Sequence, residues 1–230
     1  MRRPTWPRPP ARATLDYEHR LAVRFRGQFS TTSLTLLSII QGVALALLAS
    51  VVSGNYAHFT LLRDLMAATS FFLIILVWHH MSVDFLAFSW LPTFFDSAVP
   101  FIVGVAELYI IEAVAIGVEA WMLGAVFVVL AAMLELTYVR IRAEASHKSD
   151  DDVLQFLRIR WRAQIVLNLV GLVVFPIFVA GALTHVITDT VGDARAPLTV
   201  AAILVVLSWL VAYVATGHFA LRTTLKVRRG

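Results

Sequence analysis

The chain has 230 residues, of which 59% are hydrophobic and only 15% charged, well below the roughly 25% charged residues of soluble domains. That balance excludes a soluble globular domain and fits one domain made of several bilayer spans. Cysteine is absent, which excludes a disulfide framework and any Cys-based metal or redox centre; the formal charge of +4 matters less than where the basic residues fall.

Residues 1–13 hold four of the eight prolines and read as a disordered cytoplasmic tail. The apolar run downstream is too long for the core of a cleavable signal peptide. Residues 14–29 fit a short amphipathic helix at the membrane interface, with Thr14 as its N-cap. Residues 30–220 then predict an all-α transmembrane domain of six helices, over about 30–53, 62–90, 93–116, 118–141, 161–188 and 196–220. Gly117 separates the third and fourth spans in a tight hairpin, and Pro176 predicts a kink in the fifth. Asp150 to Asp152 read as a helix start. Residues 221–230 form a basic tail.

Lysine and arginine set the expected orientation. Seven precede the first span, six lie between the fourth and fifth, and four follow the sixth, leaving only Arg63 and Arg195 for the opposite loops. Both termini are therefore expected in the cytoplasm of a multi-pass inner-membrane protein, with anionic lipid at the basic face.

The first span carries a polar seam. Thr31, Thr35, Ser38 and Gly42 recur at steps of four, three and four, which puts them on one helical face. Small and hydroxyl residues serve close helix packing in lipid; the same face also suits the wall of a pore, which would narrow among the aliphatics around Gln41 and gate by dewetting. Spacing leaves both readings open.

Ionisable residues inside apolar spans each call for a partner or a function, at a cost of about 2.5–3.5 kcal/mol at mid-bilayer on insertion scales. The second span holds Trp78, His79, His80 and Asp84, with His80 and Asp84 one turn apart; the third holds Asp96, Glu107 and Glu112; the fourth holds Glu119 and Glu135. Asn168, His185 and His218 follow in the fifth and sixth. Together with Arg26, Ser30 and Thr31, the layer of His79, His80, Asp84 and Asp96 predicts a polar network joining the first three spans, with Arg24 or Arg26 pairing Asp84 or Asp96. Three readings compete for it: a structural clamp, a clamp at the mouth of a conduction path, and a metal or haem site on the histidines. Adjacent histidines diverge on a helix, which argues against the last. No catalytic motif is present, and neither an enzyme nor a cofactor is expected.

Arg26-Gly-Gln-Phe29-Ser30-Thr31, Ser70-Phe71 followed by Trp78-His79-His80, and Pro100-Phe101 together resemble the six-span bacterial relatives of the endolysosomal potassium channel that lacks a P-loop filter. The resemblance covers about residues 24–105. It implies a homotetramer with four copies of the first span around a pore, that span held by the Arg, Ser, Trp and His, and a constriction of large aliphatics such as Ile39. Three departures stand out: Thr31 replaces the family's Asp, the Arg spacing is one residue short, and the pore face is richer in hydroxyls than the family's.

The expected function is a cation channel, with potassium as the ion the resemblance implies. Its pore stripe would be Thr31, Thr35, Ser38, Ile39 and Gly42, braced by Arg26, Ser30, Trp78, His79, His80, Asp84 and Asp96. Glu107, Glu112 and Glu135 are candidate cation or proton sites. The alternatives are a proton-coupled transporter relaying through intramembrane carboxylates including Asp84, Glu107 and Glu135, and a non-conducting subunit that binds a partner at its basic face. Lipid, monovalent cations and further copies of the chain are the expected partners; nucleic acid is not.

Overall fold

The computed structural model describes residues 11–87, 93–146, 151–188 and 194–227. These form α1 (Ala11–Asn55), α2 (Leu61–Ala87), α3 (Phe94–Ile116), α4 (Val118–Ser146), α5 (Asp151–Leu183) and α6 (Ala196–Val227), with one 3-10 turn at Tyr56–His58 and no strand among the described residues. Each helix contains a stretch long and apolar enough to cross a bilayer, the make-up of a multi-pass membrane protein.

Sequence and structure agree on the number of spans and differ at some ends. The first helix runs unbroken from Ala11 to Asn55, so the segment expected to lie at the interface continues directly into the span. The fifth helix stops at Leu183 rather than near 188, because His185 takes a left-handed conformation at φ 57°. The backbone then turns back, and Val186 N–H donates to the Gly181 carbonyl at 2.8 Å. Helix α5 is continuous through Pro176. Gly117, at φ 150°, is the whole connection between α3 and α4, a backbone angle that favours glycine.

The helices close into a ring in the order α1, α3, α4, α5, α6, α2, and α2 also touches α3 across the interior. Leu73, Ile74, Ile111, Trp121, Met122 and Phe175 fill the core. Glycines set the closest approaches. A Cβ on Gly104 would sit 2.5 Å from Ile40 Cγ2, and one on Gly124 would sit 3.0 Å from the Ile110 Cα. These two residues let α1 reach α3, and α3 reach α4. At one end of the bundle Arg63 donates to the Ala115 carbonyl near the end of α3, at 2.9 Å. At the other, Asp96 closes the first turn of α3.

Candidate functional site

Helix α1 has two faces of different character. Phe29, Ser33, Leu37, Gln41, Ala44, Leu48 and Val51 are buried against the bundle, following one another at the steps of three and four that a packed helical face requires. Thr31, Thr35, Ser38, Ile39 and Gly42 are all exposed, Ile39 to 61%. The polar seam therefore faces away from its own bundle. Thr35 Oγ1 donates back to the Thr31 carbonyl at 2.9 Å, and among the described residues nothing lies within 4 Å of a Cβ placed on Gly42.

The layer expected to join the first three spans separates into distinct groups. At its centre is Asp84, 1% exposed, held by the Arg160 guanidinium from α5. Arg160 reaches both carboxylate oxygens, the Nη2 contact being 2.8 Å, and its Nη2 also meets the His80 ring. Its Nε donates to Gln164 at 3.0 Å, and Gln164 donates in turn to the Tyr213 carbonyl on α6 at 3.2 Å. His80 Nε2 lies 3.6 Å from Glu135 and 3.8 Å from Asp84. Four helices thus converge on one buried charged cluster. The cation comes from α5, so Asp84 already has the arginine expected for it from the N-terminal segment; the side chains of Arg24 and Arg26 lie outside the described residues.

His80, Asp84 and Glu135 place ligand atoms within 4.8 Å of one another. Arg160 sits among them, with both carboxylate oxygens of Asp84 engaged. A metal ion would have to displace that guanidinium, so the trio fits an ion pair better than a coordination sphere.

Asp96 belongs to a second group. It accepts from the Thr93 N–H, from the Thr93 hydroxyl at 2.9 Å and from Tyr138 of α4 at 2.6 Å, with Arg142 at 3.9 Å. It ties the start of α3 to α4. Trp78 is 43% exposed on the outer surface. Ser30 is half-buried. His79 faces His218 of α6, with Nε2 atoms 3.3 Å apart and the rings stacked. The trio Asp150 to Asp152 lies outside the residues whose side chains are described.

Glu107 is fully buried, and its one hydrogen-bond partner among the described residues is Gln41 of α1, whose Nε2 donates to Oε2 at 2.8 Å. Its Oε1, like Glu135 Oε1, has no hydrogen-bond partner among them. Both residues line a central cavity of about 40 Å³ that His80 and Tyr213 also border. Glu112 is exposed and stands apart from this group.

No protein-family model, curated protein or solved structure matches the chain.

Sequence reasoning missed several members of the site, Tyr138, Gln164 and Tyr213 among them, and misjudged Arg160 and Gln41. Arg160 read as one of several basic residues fixing the topology, yet it is 2% exposed. Its signal was present: Arg160, Gln164 and Asn168 fall at steps of four in an apolar run, and all three are buried. Gln41 read as an incidental polar residue among aliphatics, but it lies on the opposite face of α1 from the seam.

Proposed function

We propose that the protein is a cation channel in which copies of the chain surround a shared axis and α1 walls the pore. One observation carries this reading: Thr31, Thr35, Ser38 and Gly42 lie together on the exposed face of α1. Lipid offers hydroxyls no hydrogen-bond partners, whereas a water-filled axis between copies does. The rest of α1 supports the same view, since its buried face is complete without the seam. Ile39, protruding on the same side, is the constriction that would close the path by dewetting.

In this reading potassium is the ion and a homotetramer the assembly, both from the resemblance to the six-span channel family. The protein resides in the inner membrane with both termini cytoplasmic, its basic segments against anionic headgroups. It is not an enzyme, and the charged cluster around Arg160 is the clamp that holds the bundle behind the pore helix.

Cation flux into liposomes containing the purified protein tests the proposal. Ser38→Trp and Ile39→Trp place large side chains on the seam without touching the chain's own core, and each is expected to cut flux at least about tenfold. Flux unchanged by both substitutions removes α1 from the pore. Saturable flux that requires a proton gradient favours a coupled transporter instead, and stoichiometric co-purification of a partner with no flux favours a non-conducting subunit.

A further inference from the structure

Buried groups in the bundle form a connected series that the proposed pore does not use. The central cavity, about 40 Å³, is lined by Glu107 and Glu135, and His80 borders it. A second cavity of about 40 Å³ is lined by His80 too, together with Arg160, His79 and His218. His80 therefore stands between the two spaces, and the more exposed His79–His218 pair stands at the outer side of the second. We propose that each chain carries an internal proton-binding site at Glu107, loaded from one end of the bundle only, through His79 and His218, then His80, across these two cavities.

Size and chemistry select the proton. Each cavity has room for about three or four water molecules, given the roughly 10–15 Å³ that one requires. The walls of the central cavity are mainly aliphatic, so a metal cation would find too few of the oxygen ligands it needs. Water there would have the unpartnered oxygens of Glu107 and Glu135 to bind and would bridge the two carboxyl groups.

The surrounding charges leave room for an exchangeable proton. Facing the series are Gln41 from α1, His79, His80 and Asp84 from α2, Glu135 from α4, Arg160 from α5, and Tyr213 and His218 from α6. Arg160 is the one fixed cation among them and is spent on Asp84. Glu135 has the His80 ring, 3.6 Å away, as its ion-pair partner among the described residues. Glu107 has a neutral amide as its partner and no cation beside it among the described residues, so a proton is what neutralises it. Passage of the proton makes and breaks only O–H and N–H bonds, each site gaining the proton its neighbour gives up.

Access from the far end is closed. Beyond Glu107 lie Ile110, Ile111, Val114, Met66 and Trp121, all at most 2% exposed, and the buried hydroxyls there are those of Thr69 and of Ser70, which accepts from Trp121 at 3.1 Å. A cavity of about 10 Å³ bordered by Thr69 and Ile110 contains no titratable side chain. All of these groups lie in one chain, so the inference stands whether or not α1 walls a pore.

Infrared difference spectroscopy of the full-length protein in liposomes of uniform orientation, with pH stepped on one side at a time, tests this. The carbonyl stretch of a protonated carboxyl is expected to respond quickly to a step on one side and slowly to a step on the other. Glu107→Gln, which keeps the shape and a hydrogen bond to Gln41, should delete that band, and Glu107→Asp should shift it. Filling the central cavity with Ala132→Leu, or replacing the junction with His80→Phe, should slow the fast response at least about tenfold while the band remains. A band that survives in Glu107→Gln, equal responses from the two sides, or rates unchanged in both Ala132→Leu and His80→Phe would overturn the proposal.

Discussion

Arg160 shows how far one residue's meaning depends on what surrounds it. Its guanidinium lies at 2% exposure between Asp84 and His80, where bidentate geometry makes up for the loss of water. Removing one member of such a pair leaves a bare charge in the interior, which costs about 3–5 kcal/mol, while replacing both by apolar residues can be neutral. Arg160→Leu alone is expected to lower the melting temperature of the detergent-solubilised protein sharply. The double variant Arg160→Leu/Asp84→Leu should recover most of the loss, and a double variant no better than the single would show that the pair is not the unit of stability. Tyr138→Phe removes one of several donors to Asp96 and should cost only about 1 kcal/mol in the same assay.

At the scale of the element, α1 is the helix on which the proposed function depends, and its position is set by two contacts. Gly104 admits Ile40 to the α1–α3 interface, and Gln41 donates to Glu107 one residue further on. Gly104→Ala should force Ile40 aside at a cost of about 1–3 kcal/mol. Ile40→Ala in the same chain should relieve the clash, so a melting-temperature cycle over the two substitutions should show strong coupling. Because Ile39 and Gly42 sit on the other side of the same turns, the Gly104 variant should also alter ion flux, whereas Gly42→Ala meets open space and should leave the melting temperature unchanged.

For the whole molecule, the closed ring of six helices leaves the seam of α1 on its perimeter. A single chain therefore contains a complete core but only one strip of the proposed pore wall. The absence of cysteine makes this directly testable. Ser38→Cys should crosslink copies to one another on mild oxidation in the membrane, and Val170→Cys, also exposed but on α5, should not. Crosslinking at Val170 and none at Ser38 would put a different face at the axis.

The sequence alone determined the class of the molecule and the number of its spans. Apolar run length is a local property, and so are the one-turn spacing of His80 and Asp84 and the four–three–four rhythm of the α1 seam. Helical geometry turns such spacings into faces without knowledge of the neighbours. Only the tertiary structure decided which face met what. It turned Gln41 inward and the hydroxyls outward, although both lie on the same helix with equally regular spacing. It drew Arg160 out of a set of basic residues that look alike in sequence and placed it against Asp84, 76 positions away. It also opened a cavity between Glu107 and Glu135, which no spacing along either helix encodes. The physical reason is that, in an apolar medium, a buried charge must find its counter-charge across the bundle, and the identity of that partner follows from which helices are neighbours in the ring.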